Sequence, residues 1–263
     1  MSTDERRDVL PGSRLSSSVV AVIPARFDSS RFPGKALADL CGKPMIVRVY
    51  ERVRQARGLD AVIVATDDER IAAAVTRHGG DVRMTSAWHR TGTDRIAEVA
   101  SQLSCDIVVN VQGDEPLIDP ASIEDVVRPL ADDPSLPMAT VRRAITDPAD
   151  YFNPNVVKVT VDARGNALYF SRAAIPGRSS DQTGPMPPCH AHIGLYAYRR
   201  DFLLTFAGLP QMPLERIESL EQLRALEHGF RIRTVSTQTE PVGVDTPADL
   251  ERARERLLAA SPS

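Results

Sequence analysis

Three features of this 263-residue sequence predict an α/β protein with a mixed, mostly parallel sheet and helices on both faces. Apolar runs without polar alternation occur at 19–23, 61–65 and 107–111, which is typical of strands buried on both sides. Amphipathic segments lie between these runs and end at glycines or prolines. From residue 138 onward, the predicted strands alternate apolar and polar residues, which indicates a smaller antiparallel β extension.

The elements follow in order along one predicted domain, 19–258, after a disordered N-terminal extension, 1–18, and before a flexible tail, 259–263. Strands are predicted at 19–23, 61–65, 81–84, 107–111, 138–144, 156–161, 167–171, 192–198 and 231–236. Helices are predicted at 44–57, 68–78, 94–103, 119–130, 201–207, 214–228 and 247–258. A stretch rich in Gly, Pro and Ser at 176–188 is expected to form a mobile loop.

Composition restricts the class of function. The net charge is −3, and the calculated pI is about 6.0, so broad attraction to nucleic acid or to an anionic membrane is not expected. No apolar run approaches the roughly 20 residues that cross a bilayer, and the N-terminus has no secretory signal pattern. Three widely spaced cysteines fit a reducing cytoplasm rather than a disulfide framework. We therefore expect a cytoplasmic protein that acts on small molecules.

A basic loop follows the first predicted strand and carries Arg26, Arg31, Gly34 and Lys35. Open α/β sheets bind ligands at the carboxyl ends of their strands, and backbone N–H groups with cations suit a polyphosphate. The loop is not a Walker A motif, because it lacks the first glycine and Lys35 is followed by Ala36. The glycines of the dinucleotide-binding fingerprint are also missing, which argues against a plain NAD-binding protein. The alternative interpretation is an ordinary solvated loop.

Two distant carboxylates are candidate metal ligands. Asp114 follows a buried strand in Gln112-Gly113-Asp114-Glu115-Pro116, and Asp245 lies in Gly243-Val244-Asp245-Thr246-Pro247. Magnesium is commonly held by one or two carboxylates together with phosphate oxygens, so these residues and the basic loop predict metal-assisted nucleotidyl transfer. Helix capping is the alternative for each carboxylate.

Two further groups of residues have weaker patterns. The segments 65–67 and 91–95 offer hydroxyls and amides that could contact a base and a ribose, although helix capping explains either one. His190 and His192 share a face of a predicted strand. No second Cys/His pair completes a tetrahedral metal set, so a histidine that reaches a bound ligand is the preferred interpretation.

With these residues in view, the sequence resembles the 3-deoxy-manno-octulosonate cytidylyltransferase (CMP-Kdo synthetase) family. The resemblance covers about 19–258 in order. The matching segments are 23–26, 30–35, 42–45, 64–67, 92–95, 110–116, 153–158, 169–172, 192–196, 220–224 and 243–247.

The resemblance implies a Rossmann-like nucleotide-diphospho-sugar transferase fold, a homodimer, Mg²⁺ as cofactor, and no nucleic-acid or membrane partner. It implies transfer of the cytidylyl group of CTP to the anomeric 2-hydroxyl of the 2-keto sugar acid Kdo, giving CMP-Kdo and pyrophosphate. The implied catalytic residues are Arg26, Lys35, Asp114 and Asp245, of which the two aspartates would bind metal. The implied nucleotide-binding residues are Pro24, Ala25, Arg26, Lys35, Thr66, Asp67, Gly92, Thr93 and Gln112. The implied acid-binding residues are Arg31, Gln112, Arg172, His192, Tyr196, Glu221 and Gln222.

The departures from the family pattern concern the acceptor. Gly177 stands where the family often has Trp, the loop after it is short, and Ala191 stands where Lys or Arg commonly precedes the pocket histidine. The donor-side motifs match. Two alternatives therefore stay open: a cytidylyltransferase for another acid, such as an amino-Kdo, another ulosonate or a phosphonate, and a non-catalytic CTP-binding protein.

Overall fold

The computed structural model describes residues 17–28, 31–177 and 187–259. The predicted N-terminal extension and C-terminal tail therefore lie almost wholly outside the described residues, as does most of the predicted loop at 176–188. The described strands are β1 Val19–Ala25, β2 Ala61–Thr66, β3 Asp81–Met84, β4 Ile107–Asn110, β5 Met138–Ala144, β6 Lys158–Val161, β7 Ala167–Ser171, β8 His190–Arg199 and β9 Ile232–Ser236. The described helices are α1 Met45–Val53, α2 Glu69–Arg77, α3 Gly92–Ser101, α4 Pro120–Asp132, α5 Pro148–Phe152, α6 Arg200–Gly208, α7 Pro213–Glu218, α8 Gln222–Glu227 and α9 Pro247–Ala259.

The strands form one mixed sheet in the order β3-β2-β1-β4-β8-β5-β9. The first four of these are parallel to one another, with β1 between β2 and β4. Strand β8 is antiparallel to both β4 and β5, whereas β9 pairs with β5 in parallel. Strand β6 pairs antiparallel with β7 and β8. The predicted mixed sheet with an antiparallel extension is confirmed.

Side-chain alternation along β1 divides the core between the two faces of the sheet. Val19, Ala21 and Ile23 belong to a cluster that includes apolar residues of α1, α2 and α4. Val20 and Val22 point the other way, into a cluster with residues of α3, α6 and α8. Because both faces are covered, the strand is apolar at every position from 19 to 23.

Two helices next to the carboxyl edge of the sheet begin at well-formed caps. Asp68 accepts hydrogen bonds from the N–H groups of Arg70 and Ile71 at the start of α2. Thr91 and Asp94 form a capping box at the start of α3. These caps fix the loops that leave β2 and β3, and so shape the edge where ligands bind in such sheets.

The predicted helix at 214–228 is two short helices, α7 and α8. Ser219 lies between them in the left-handed region with φ of 53°, which ends α7. A second turn then places Glu221 and Gln222 at the start of α8. Periodicity did not reveal this break, because the apolar spacing of Leu214, Ile217, Leu220 and Leu223 continues across it in the sequence. Helix α5 was also not predicted, since five residues are too few to show a period.

The length and apolar character of the helices relate to the prediction that no segment crosses a bilayer. Among the described residues, no helix is both long enough and apolar enough to cross a membrane.

Candidate active site

The basic loop after β1 folds back on itself and points Lys35 into the site. Gly34 has φ of 72°, a conformation that side chains disfavour, and its N–H donates to the carbonyl of Phe27 at 3.0 Å. A Cβ on Gly34 would lie 3.1 Å from the Phe27 ring. The guanidinium carbon of Arg70 lies 3.4 Å from the centre of the Phe27 ring. The turn therefore needs glycine, and it starts the short 3-10 segment Lys35–Leu37.

Lys35 lies between the two predicted metal-binding carboxylates. Its Nζ is 2.6 Å from Oδ2 of Asp114 and 3.2 Å from Oδ1 of Asp245, and it also donates to the carbonyl of Val244 at 3.1 Å. The Lys35 side chain is only 16% exposed. Arg31, which is largely exposed, pairs with the same oxygen of Asp245 at 3.0 Å. The structure therefore brings together four of the predicted residues around one point.

Close backbone contacts bring these carboxylates together. Asp114 follows β4 beside β1, and the chains approach so closely that a Cβ on Gly113 would lie 2.7 Å from the carbonyl oxygen of Pro24. The N–H of Val244 donates to the carbonyl of Asp114 at 2.9 Å. The carboxylate of Asp249 accepts from the N–H groups of Asp245 and Thr246 where α9 begins. Asp245 is therefore held in place by a helix cap on one side and by Asp114 on the other.

Glu115 lies beside Asp114, next to the residues that line the site, and the sequence analysis did not single it out. Burial, with the Asp114 charge beside it, raises the pKa of Glu115 to about 7. Its carboxyl accepts from the N–H of Val242, and a Cβ on Gly243 would lie 3.2 Å from Oε1. Its position next to Asp114 in the same sequence motif is the feature that could have identified it from the sequence. Glu115 packs against the segment that carries Asp245.

A cleft of about 330 Å³ opens over these groups at the carboxyl edge of the sheet. Nine predicted site residues line it: Pro24, Ala25, Arg26, Arg31, Lys35, Gly92, Gln112, Asp114 and Asp245. His89, Arg90 and Arg95 also line it and were not predicted as site residues. His89 is hydrogen-bonded to Glu98, which also accepts from the N–H of Ser86, so α3 holds the loop that forms this wall.

A second cavity of about 470 Å³ contains three of the residues predicted for acid binding, His192, Tyr196 and Gln222. The two spaces are adjacent, because Gln112 of the first cleft lies beside Gly194 of the second cavity, with 3.9 Å between Gln112 Cγ and a Cβ built on Gly194. A ligand in the cleft and a ligand in the cavity would therefore approach each other near Gln112.

Three side chains of the second cavity, those of His192, Tyr196 and Gln222, are neutral. Burial lowers the pKa of His192 to about 3, and its Nε2 lies 2.9 Å from Oγ1 of Thr140. Burial also raises the pKa of Tyr196 well above its usual value. The buried Nε2 of Gln222 has no hydrogen-bond partner among the described residues. An amide donor without a partner is costly to bury, so this group is suited to a polar ligand.

Five predicted site residues line neither space. Thr66 is fully buried and accepts from the N–H of Asp68. Asp67 pairs with Arg95 at 3.1 Å, which places it behind the wall of the cleft. Thr93 donates to Glu221, whose pKa is raised by burial and whose buried Oε1 has no hydrogen-bond partner among the described residues.

Arg172 is the fifth of these residues, and it is held by its own neighbours. Its Nε donates to the carbonyl of Glu218 at 2.9 Å and its NH1 to the carbonyl of Pro154 at 3.2 Å. In this arrangement its guanidinium supports the wall of the second cavity rather than lining it.

The residues of the 189–192 segment have separate partners. Cys189 is buried, and Nε2 of His190 lies 2.7 Å from NH1 of Arg142, whereas His192 contacts Thr140. His190 and His192 therefore serve different neighbours.

Comparison with known proteins identifies the family. A family model described as Cytidylyltransferase matches residues 20–232, so the chain is a member of the cytidylyltransferase class. A 3-deoxy-manno-octulosonate cytidylyltransferase of Syntrophotalea carbinolica is 57% identical over 246 residues, which cover 91% of this chain and 98% of that protein. One of Geobacter metallireducens is 54% identical over 248 residues, covering 91% and 97%. The chain belongs to the 3-deoxy-manno-octulosonate cytidylyltransferase family.

Solved structures support the same fold. The structure of a CMP:2-keto-3-deoxy-manno-octonic acid synthetase complexed with CTP matches with a TM-score of 0.88 and 46% identity, covering 93% of this chain and 100% of that one. A cytidylyltransferase of Leptospira borgpetersenii, at 17% identity and a TM-score of 0.63, shares the fold. The nucleotide-diphospho-sugar transferase fold implied by the resemblance is confirmed.

Proposed function

We propose that this chain transfers the cytidylyl group of CTP to the anomeric 2-hydroxyl of 3-deoxy-D-manno-octulosonate, with Mg²⁺, and releases pyrophosphate. The observation that supports this most directly is the meeting of Lys35, Asp114 and Asp245 in a cleft that adjoins the second cavity at Gln112. The names of the relatives support CTP as donor and Kdo as acceptor.

The donor set fits Mg²⁺. Asp114 and Asp245 both lie within 3.2 Å of one Lys35 atom, so their oxygens can reach a shared ion. No cluster of three or more His, Cys, Asp or Glu side chains suited to a metal occurs in the described part of the chain. Two carboxylates completed by phosphate oxygens and water are what Mg²⁺ commonly takes. When bound, the ion would neutralise phosphate charge and lower the pKa of the acceptor hydroxyl.

The chain's own residues bind and orient the reactants. Arg26, Arg31 and Lys35 place three cations around the cleft, where the triphosphate would release Lys35 from part of its pairing with the carboxylates. Tyr196 and Gln222 present neutral hydrogen-bonding groups to the acceptor. In the transfer, the 2-hydroxyl oxygen bonds to the α-phosphorus, the bond to pyrophosphate breaks, and the hydroxyl proton is released. Positioning and charge neutralisation supply most of the catalysis.

The test of this proposal is pyrophosphate release with CTP, Mg²⁺ and Kdo, with ATP, GTP and UTP as donor controls. The acceptor panel includes an amino-Kdo, other ulosonates and a phosphonate, because Ala191 and Gly177 depart from the family pattern. Release that depends on both CTP and Kdo is the expected result. Pyrophosphate release with another acid and not with Kdo would refute Kdo as the acceptor. CTP binding without pyrophosphate release in the presence of any acceptor would refute the catalytic activity.

Asp114→Asn tests the role of the carboxylates. We expect kcat to fall by at least about 100-fold, because a charge that stabilises the transition state is removed. CTP affinity should change by less than about threefold. CTP binding can be followed by the fluorescence of Trp88, which is the single tryptophan. Its side chain is exposed and next in sequence to His89, which lines the cleft. Asp125→Asn, which removes a partly exposed partner of Arg128, is the matched control. Near-normal turnover of Asp114→Asn would contradict the proposal.

We also propose a homodimer that acts in the cytoplasm, on the basis of the family resemblance. Light scattering coupled to size exclusion should give twice the 28.7 kDa chain mass. A monomeric mass at assay concentration, with full activity, would contradict the dimer.

A further inference from the structure

An ion pair lies at the wall of the second cavity, away from the carboxylates of the cleft. Arg143 on β5 and Asp150 on α5 both line the cavity, and NH2 of Arg143 lies 2.6 Å from Oδ2 of Asp150. Arg143 is the one lysine or arginine among the described residues that line this space. The pair is only partly exposed, 17% for the Arg143 side chain and 30% for Asp150. A charged pair is thus built into a cavity wall.

This pair keeps hydrogen-bonding capacity for a ligand. A guanidinium has five N–H donors, and the bonds of Arg143 to described residues are those to Asp150 and to the carbonyl of Ala144. The Asp150 carboxylate uses Oδ2 for Arg143 and leaves Oδ1 as an acceptor. The remaining donors of Arg143 are not fully buried, so they can reach the cavity. Adjacent donors and acceptors of this kind suit neighbouring hydroxyl groups, each of which both donates and accepts.

The residue opposite Arg143 in the sheet is small and leaves room for the arginine side chain. In the β5–β8 ladder, Arg143 lies directly across from Ala191. Opposite Cβ atoms in antiparallel strands are about 5 Å apart, and Ala191 fills little of that space. The other polar residues of the cavity rim, Asn155 and Glu240, are exposed and mark its opening to solvent.

The spacing along β8 relates the pair to the reacting end of the acceptor. Gly194, which approaches Gln112, lies three residues from Ala191, or about 10 Å at about 3.3 Å per residue. In the ring form that carries the anomeric hydroxyl, the last carbon of an eight-carbon acid lies about 5 Å from the anomeric carbon, since four bonds of about 1.5 Å join them through the ring oxygen. The Arg143 side chain can cover the remaining distance.

We propose that the Arg143–Asp150 pair recognises the terminal hydroxyl groups of a polyhydroxylated 2-keto acid and so sets the length of acceptor that the enzyme uses. This inference rests on the proposed function, because it places the reacting hydroxyl where the cavity adjoins the cleft. It assigns an acceptor-specificity role to two residues outside the set implied by the family resemblance.

The test compares Kdo with an acid shortened by its terminal CH₂OH group. Wild type should prefer Kdo by about 10- to 100-fold in kcat/KM, as expected for hydrogen bonds to charged groups. Arg143→Met, which keeps the apolar part of the side chain, and Asp150→Asn should each reduce this preference to about threefold or less. The change should come from KM for Kdo, with kcat/KM for the short acid and KM for CTP within about twofold of wild type.

The matched control is Arg142→Met. Arg142 is the neighbouring arginine on β5, and it contacts His190 rather than lining the cavity. It should keep the wild-type preference for Kdo. Equal losses with both acids in Arg143→Met, or the same loss of preference in Arg142→Met, would overturn the proposal.

A binding measurement separates this inference from the proposed function. Saturation-transfer NMR of Kdo with the full-length protein needs no turnover, and contact at the terminal protons should be lost in Arg143→Met. Kdo that binds wild type with this contact but releases no pyrophosphate would refute the proposed reaction and support the recognition. Kdo that binds without any effect of Arg143→Met on the terminal protons, or does not bind wild type, would refute the recognition.

Discussion

Glu215 of α7 and Arg224 of α8 form a buried ion pair, and its loss should lower the stability of the protein by an amount that can be worked out from the structure. The Arg224 guanidinium donates to both carboxylate oxygens of Glu215, from Nε at 2.8 Å and from NH2 at 2.5 Å. The side chains are only 5% and 6% exposed. This pair joins the two helices, and α8 begins with Gln222 of the acceptor cavity. Removing either partner should therefore affect stability and acceptor binding together.

The expected loss in free energy of unfolding depends on the contacts that remain for the unpaired residue in each variant. Breaking a buried pair leaves an uncompensated charge, which costs about 3–5 kcal/mol. Glu215→Gln leaves Arg224 near Glu221 at 3.8 Å and over the Phe206 ring at 5.3 Å, so we expect a loss near 3 kcal/mol. Arg224→Met leaves Glu215 with Gln211 at 3.2 Å, so we expect about 4 kcal/mol. The double variant Glu215→Leu/Arg224→Met removes both charges and should lie within about 1 kcal/mol of wild type.

Urea unfolding followed by circular dichroism measures this prediction. With a slope near 3 kcal/mol per molar urea, a loss of 3 kcal/mol lowers the midpoint by about 1 M. KM for the acceptor should rise in both single variants, because Gln222 is then less well positioned. Losses below about 1 kcal/mol in the single variants would refute the reasoning. So would a double variant as unstable as the worse single one.

Three further predictions concern buried positions around the site. Gly113→Ala should lower the midpoint of thermal unfolding by several degrees and weaken CTP binding, because its Cβ would meet the Pro24 carbonyl at 2.7 Å, whereas Gly208→Ala, with open space around it, should do neither. Lys158→Met should cost about 2–4 kcal/mol in urea unfolding, because the fully buried ammonium donates to three backbone carbonyls that would lose their partner; a change within 1 kcal/mol would contradict this. His192→Gln should remove an acid-linked loss of stability. Its folded pKa of about 3 lies below the unfolded value near 6.5, so wild type loses stability as pH falls from 6.5 toward 3, about 2 kcal/mol by pH 5 relative to pH 7. A pH series of urea midpoints that runs parallel for both proteins would show that His192 is not the cause.

Local sequence determined the elements that lead into the site. The apolar run at 19–23 predicted β1, which continues to Ala25, because residues buried on both faces of a sheet leave a pattern in the chain itself. Asp114 and the Gly34–Lys35 turn could likewise be identified from their positions after strands. The resemblance of whole motifs added CTP and the family, both of which the comparisons support.

Tertiary structure decided which of these groups meet. Lys35 and Asp245 are 210 residues apart, and no local pattern shows that Val244 docks on the backbone of Asp114. The same holds for Arg172, which bonds to Glu218 and Pro154 instead of lining the cavity, and for Arg143, which does line it. The pairing of strand β5 with β8 set the position of Arg143. Periodicity and capping depend on neighbours within a few residues, whereas contacts between distant segments depend on sheet order and register, which the chain defines only once it is packed.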